Sequence, residues 1–178
     1  MRRGFLLPAI LIIITMSGFS DQTGLLSIQI NKKGFFVNKT PLSETWQVSY
    51  FETHFGKADR DVAGTLIYDD DGIKLFRKYK DGTYLNEVSE LQIYYGSVSS
   101  EKNLPSNFFS GSFTIDKLKV TSGLNPQAVR SALKKWQNKE AYLPHSYRYN
   151  NDKVYIYFRF NDEENQLLQI SIGPNPTY

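Results

Sequence analysis

From Val154 to Phe160 the chain reads Val-Tyr-Ile-Tyr-Phe-Arg-Phe. Successive side chains of a strand point to opposite faces, so this run sorts into Val154, Ile156, Phe158 and Phe160 on one side and Tyr155, Tyr157 and Arg159 on the other. No helical period fits it. The same two-residue alternation recurs in Ile73-Lys74-Leu75-Phe76, Leu91-Gln92-Ile93-Tyr94 and Leu168-Gln169-Ile170-Ser171. The links between such runs are short. Asp69-Asp70-Asp71-Gly72 and Lys80-Asp81-Gly82 read as hairpin turns, and Asp162-Glu163-Glu164 as a charged turn between strands. Short turns join antiparallel strands, whereas parallel neighbours need long crossovers. The expected class is therefore α+β.

Two helix starts with proline in the first turn are predicted, Thr40-Pro41 and Asn125-Pro126. They give helices over residues 41–54 and 126–138. Leu42, Trp46, Tyr50 and His54 form the apolar stripe of the first, and Val129, Leu133 and Trp136 that of the second. Two helices cannot cover both faces of eight to ten strands. Both should pack on one face of the sheet or sheets, leaving the other partly solvated.

The order of these elements repeats. Gly24-Leu25-Leu26-Ser27-Ile28-Gln29 compares with Gly111-Ser112-Phe113-Thr114-Ile115-Asp116, and each is followed by a short strand, a helix and further strands ending in glycine. The pattern predicts a tandem β-β-α-β-β-β repeat, with one unit over residues 21–100 and a second over 101–178. The two units together can form one domain.

The first twenty residues are set apart. Met1-Arg2-Arg3-Gly4 precedes an apolar run from Phe5 to Met16 and then Ser17-Gly18-Phe19-Ser20. That is the charged, apolar and small-residue succession of a secretory signal peptide, with a cut expected between Ser20 and Asp21. Arg2-Arg3-Gly4-Phe5-Leu6 also resembles a twin-arginine core, but the short charged region and the very apolar run favour the general secretory route. No cysteine is present, which excludes a lipid-anchored terminus, disulfides and thiolate metal sites. A periplasmic or secreted location follows as an expectation, with no membrane span after cleavage. Removing residues 1–20 takes away two arginines and no acid, which lowers the net charge from +3 to +1. Nucleic acid thereby loses its electrostatic support as a partner.

Phe55-Gly56-Lys57-Ala58-Asp59-Arg60, Tyr68-Asp69-Asp70-Asp71-Gly72-Ile73 and the stretch from Pro105 to Phe109-Ser110-Gly111 resemble a bacterial domain family of unknown function. The resemblance would cover most of the mature chain and implies a fold but no chemistry. In architecture alone, a duplicated helix-on-sheet unit in an exported, aromatic-rich chain is similar to the β-lactamase inhibitor protein family. The exposed concave sheet of that family grips its target.

The residues themselves offer little catalysis. The only histidines, His54 and His145, lack metal-ligand spacing, and no Gly-x-Ser-x-Gly or glycine-rich phosphate loop occurs. The consecutive acids at Asp69-Asp70-Asp71 do not alternate as a calcium loop requires, and Lys78 stands where its glutamate would be. No catalytic residue, metal or cofactor is assigned. The alternation instead places Phe76, Tyr94, Tyr155 and Tyr157 on the open face with Lys74, Lys78 and Arg159. Tyrosine and arginine favour interfaces, so the expected function is non-catalytic binding of another protein, as an inhibitor or immunity protein. The alternatives are cross-strand aromatic pairs that only stabilise the sheet, a small ligand, a hydrolase built on paired carboxylates, or a structural envelope component.

Overall fold

A computed structural model describes residues 25–99, 101–139 and 141–175. The signal peptide predicted over residues 1–20 lies outside them. Fifteen elements follow in chain order: β1 (Ser27–Asn31), β2 (Gly34–Val37), β3 (Thr40–Pro41), α1 (Val48–Phe55), β4 (Arg60–Val62), β5 (Thr65–Tyr68), β6 (Ile73–Lys80), β7 (Thr83–Tyr94), β8 (Ser112–Ile115), β9 (Leu118–Val120), α2 (Pro126–Ala132), β10 (Gln137–Lys139), β11 (Ser146–Asn150), β12 (Val154–Phe160) and β13 (Leu167–Pro174). The class is α+β, with mostly antiparallel sheets and two helices.

The strands form a five-stranded sheet, ordered β3-β2-β1-β8-β9, and an eight-stranded sheet, ordered β10-β11-β12-β13-β7-β6-β5-β4. The β1–β8 pair is parallel, with Ile28 opposite Phe113 and Ile30 opposite Ile115. Every other pair is antiparallel. The predicted hairpins are present. Asp81 and Gly82 both hold positive φ, 51° and 81°, which is the backbone of a tight two-residue turn between β6 and β7.

One buried cluster takes in the apolar sides of both sheets. Ile28, Ile30, Phe113 and Ile115 come from the smaller sheet; Leu75, Leu91, Ile93, Ile156, Phe158 and Ile170 come from the larger. Val48 and Phe51 of α1 and Val129 of α2 join the same cluster. The alternation expected of β12 holds, since Val154, Ile156, Phe158 and Phe160 are buried and Tyr155, Tyr157 and Arg159 are half-buried.

Three expectations of extent are corrected. Thr40-Pro41 does not open a helix but pairs as β3 with Phe36 and Val37. Proline is tolerated there because the strand is at the sheet edge and owes no N–H to a further neighbour. The Tyr50 hydroxyl donates to the Thr40 carbonyl at 2.7 Å, and α1 starts only at Val48. The second helix begins as predicted, with the Asn125 side chain accepting from the Ala128 N–H at 3.0 Å. It stops at Ala132 because residues 137–139 are taken into pairing with β11. Each helix is followed by four strands. The additional edge strands, Arg-Asp-Val and Gln-Asn-Lys, carry no alternation by which they could have been read.

Residues 101–110, between β7 and β8, are pinned across the outer side of the larger sheet. Asp69 accepts from Arg60 Nε at 2.8 Å and Nη2 at 2.6 Å, and from the Ser106 N–H at 2.8 Å and hydroxyl at 2.9 Å. Arg60 also donates to the Leu104 carbonyl at 2.8 Å. The Arg60 guanidinium holds the Asp69 carboxyl down at about 2, from an ordinary 3.8, with the Ser106 donors helping against partial burial. A depressed folded-state pKa contributes stability above the unfolded value and loses it as pH falls through the folded one. The thermal midpoint should therefore drop as pH is lowered from about 4 toward 2, and Asp69→Asn should flatten that slope. Equal slopes in the two proteins would show that Asp69 does not carry the acid sensitivity.

Candidate functional site

Cross-strand register lays out the outer face of the larger sheet in rows. One row runs Lys74, Gln92, Ser171, Tyr157, Arg148 from β6 to β11. A second includes Phe76 and Glu90, and on the far side Tyr155 beside Gly173. A third places Tyr94 beside Gln169 and Arg159. Between Glu101 and Tyr142-Leu143 this face forms an open recess of about 470 Å³. Tyr155, Tyr157, Arg148 and Arg159 line it together with Glu90, Glu101, Gln169 and Ser171. Tyr142 stands on its rim with 89% of its surface exposed, and Leu143 with 47%.

Of the residues expected on an open binding face, Tyr155, Tyr157 and Arg159 line the recess. Tyr94 and Lys74 share the face but are buried, at 0% and 2% exposure. They were expected in solvent; residues 101 and 102 instead close over Lys74, whose Nζ lies 5.0 Å from the Tyr94 ring centroid. Lys74 Nζ donates to the Lys102 carbonyl at 3.0 Å and reaches Glu101 at 3.4 Å. Burial pushes the Lys74 pKa down, and Glu101 partly restores it. The Tyr94 hydroxyl donates to Gln92 Oε1 and accepts from Gln169 Nε2 at 3.2 Å. Phe76 is half-buried on the same face, outside the recess. Lys78 lies further along β6, paired with Glu87 at 2.6 Å.

Tyr155 is built into the sheet as well as into the recess. Its ring lies over Gly173, where an added Cβ would fall 2.4–2.5 Å from the ring and hydroxyl. That lets the hydroxyl reach across β13 to β7 and donate to Glu90 Oε2 at 2.6 Å. Gln92 Nε2 donates to the other Glu90 oxygen at 2.7 Å, and the Arg148 guanidinium stacks over the Tyr155 ring at 4.9 Å. Burial, and then the Glu90 charge, push the Tyr155 pKa upward, so this hydroxyl remains a donor. Gly173→Ala should displace the ring and cost about 1–3 kcal/mol. In a Tyr155→Ala background it should be nearly neutral, and an equal cost in both backgrounds, measured by urea unfolding, would refute this account.

Tyr157 differs from Tyr155. Its hydroxyl is buried without a hydrogen-bond partner among the described residues. A buried polar atom left unpaired is unfavourable and is met where a ligand or water supplies the missing bond. Residues that sequence reasoning did not place here are Arg148, Glu90, Glu101, Gln169 and Ser171. Arg148, in the run Tyr147-Arg148-Tyr149, carried an alternation signal. Glu101 carried none, because it arrives on an irregular segment.

Neither histidine enters a nucleophilic arrangement. The His54 ring packs on Tyr50 at 4.8 Å. His145 Nδ1 lies 3.2 Å from Glu164, whose carboxylate also accepts from the Tyr147 hydroxyl at 2.8 Å. The neighbouring Ser146 hydroxyl donates to the Pro144 carbonyl. Among the described residues, no three His, Asp or Glu side chains converge to hold a metal ion. Among them, too, no helix is long and apolar enough to cross a membrane.

This is a mostly antiparallel α+β fold with a recessed aromatic and polar sheet face. Residues 27–130, more than half of the chain, match the domain of unknown function DUF7738, and the chain belongs to that family. The match begins in β1 and ends inside α2, so it takes in the turn motifs that carried the resemblance. No curated protein matches the chain. Among solved structures it is similar to a cysteine-rich secretory protein of Staphylococcus aureus at 16% identity and a TM-score of 0.31. The likeness covers 72% of this chain and 42% of that one, so the chain spans less than half the length of that protein.

Proposed function

We propose that this chain is exported and acts outside the cytoplasm, in the periplasm, as a non-catalytic binding protein whose recessed sheet face engages another protein. The observation that carries the reading is the recess itself. Tyr155, Tyr157, Arg148 and Arg159 line a wide opening, and Tyr142 and Leu143 stand exposed on its rim. Tyrosine and arginine provide large contact areas with polar tips, the composition of interface hot spots. The two carboxylates that line the recess favour binding over hydrolysis. Glu90 accepts from Tyr155 and Gln92, and Glu101 is paired with Lys74. Such engaged acids serve poorly as a free acid and base. An inhibitor or immunity protein is the specific form of this reading.

The duplication belongs to the same proposal. The two sheet orders read outward from the central pairs, β1 with β8 and β7 with β13, with first-half strands on one side and second-half strands on the other. That arrangement is what two fused copies of a one-helix unit would give, and it supports a recess assembled from both.

The test is capture from periplasmic extract by the tagged chain, wild type and Tyr142→Ser/Leu143→Ser, with Tyr79→Ser as a control on a distant exposed tyrosine. One dominant protein, held by the wild type and the control and lost by the double variant, is expected. Retention by all three, or capture of nothing, overturns the reading. The mass of the exported chain checks export separately, since processing should leave Asp21 at its N-terminus.

A further inference from the structure

The parallel pairing of β1 with β8 has an electrostatic result. Both strands end in two-residue hairpins, Lys32-Lys33 between Asn31 and Gly34, and Asp116-Lys117 between Ile115 and Leu118. Because Ile30 sits opposite Ile115, the two turns emerge side by side at one end of the smaller sheet, joined by the Asp116 N–H donating to the Ile30 carbonyl at 2.7 Å. A third segment is tied to the same place. Trp136 Nε1 donates to the Asp116 carboxylate at 3.0 Å, and this holds the turn after α2, with Lys135, against the β8–β9 hairpin.

Lys32, Lys33, Lys117 and Lys135 thus surround one shallow basin of about 800 Å³ with Leu118 and Ala132 among its lining residues. All four lysines are exposed, and none is ion-paired among the described residues. The one acid in the basin, Asp116, already accepts from Trp136. The chain carries a net charge of only +3, two units of it in Arg2 and Arg3. What sets the basin apart is that four ammonium groups line it together, with a single acid that is already engaged.

The geometry points to a docking surface for an anionic membrane, with the end of the smaller sheet seated on phosphate headgroups. The choice of partner rests on the chemistry of the cations. Arginine's planar fork recognises a discrete phosphate or carboxylate in two bonds, whereas lysine is a mobile point charge without directional preference. A basin with four lysines and no arginine gives a diffuse field. It suits a continuous anionic surface better than one stereospecific anion. Clusters of four or more such cations are the range in which this attraction becomes effective, each adding about fivefold in affinity. The basin lies on the smaller sheet and the recess on the outer face of the larger, and the two share no lining residue. The surface is therefore independent of the protein-binding reading.

The experiment is cosedimentation of the full chain with vesicles of phosphatidylcholine alone and of phosphatidylcholine mixed with phosphatidylglycerol, read as the ratio of the two affinities. The ratio removes any salt-insensitive contribution of the apolar N-terminal run. The wild type should show a ratio well above one that collapses as salt is raised. Lys32→Gln/Lys33→Gln/Lys117→Gln/Lys135→Gln should lower it by a hundredfold or more, on the order of fivefold per lysine. A charge-matched control, Lys39→Gln/Lys57→Gln/Lys80→Gln/Lys102→Gln, should lower it far less. A wild-type ratio near one, or equal losses in both quadruple variants, overturns the proposal. So does binding of dissolved polyphosphate through the four lysines without any preference for the anionic vesicles, which would make the surface a site for soluble polyanions.

Discussion

Gly72→Ala should destabilise the protein by roughly 2–5 kcal/mol, far more than the loss of one hydrogen would suggest. Two effects combine. Gly72 holds φ at +67°, and an L-residue in that region costs about 1–2 kcal/mol. An added Cβ would also fall 2.3 Å from the Phe109 nitrogen and 2.6 Å from the Phe108 carbonyl carbon. Those are backbone atoms and cannot rotate aside, so the overlap adds about 1–3 kcal/mol. Relief requires the segment of residues 104–109 to lift from the sheet. Lifting would break the Phe109 N–H bond to the Tyr94 carbonyl and the Asn107 N–H bond to the Asp69 carbonyl, 2.8 and 2.9 Å. Gly82→Ala is the matched control. Its φ is +81°, yet nothing lies within 4 Å of the added carbon, so only the conformational part should appear. Urea unfolding of the two variants separates the effects. Equal losses would mean that the segment yields easily, and the wall of the recess that carries Glu101 would then be soft.

Phe158→Ala should cost about 3–5 kcal/mol, because the ring is fully buried and a cavity of that size refills poorly. Its neighbour Tyr157 sits on the opposite face of β12. Tyr157→Phe should be neutral or slightly stabilising, since it removes a buried hydroxyl that has no partner among the described residues. Tyr157→Ala should leave the protein folded. A Tyr157→Ala variant as damaged as Phe158→Ala would show that the outer face is as much core as the inner one. The binding reading would then lose its surface.

The contrast between adjacent residues shows what was legible. Face assignment in β12 needed only the pleat, and it correctly set Tyr155, Tyr157 and Arg159 apart from Ile156 and Phe158. The same rule applied to β6 and β7 put Lys74 and Tyr94 on the right face of the sheet. It could not foresee that residues 101–110 would return over that face, with residues 101 and 102 closing on Lys74. Alternation reports which side a side chain takes and is silent on what covers that side. The start of α1 shows a different limit. Thr40-Pro41 carries helix-start chemistry, but that chemistry is shared with edge strands. Pairing with Phe36 and Val37 and the Tyr50 bond to the Thr40 carbonyl decided for the strand. The Asn125 cap met no such competitor and was read correctly.

Local chemistry was sufficient for several features that neighbouring residues decide among themselves. The antiparallel hairpins at Asp69–Gly72 and Asp81-Gly82, the two-sidedness of β12, the capped start of α2 and the α+β class all follow from turn preferences and the two-residue period. Only the tertiary structure decided which distant segments meet. It paired β1 with β8, eighty-five residues apart by the Ile28–Phe113 register, and so gathered four scattered lysines at one end. It brought Glu90 and Glu101 to the edge of a recess that Arg148, Tyr155 and Tyr157 line from the other half of the chain. The reason is physical: long-range pairing is selected by the burial of whole apolar faces, to which lysines and glutamates at the margins contribute nothing. Their placement is a consequence of the core, and no local pattern encodes it.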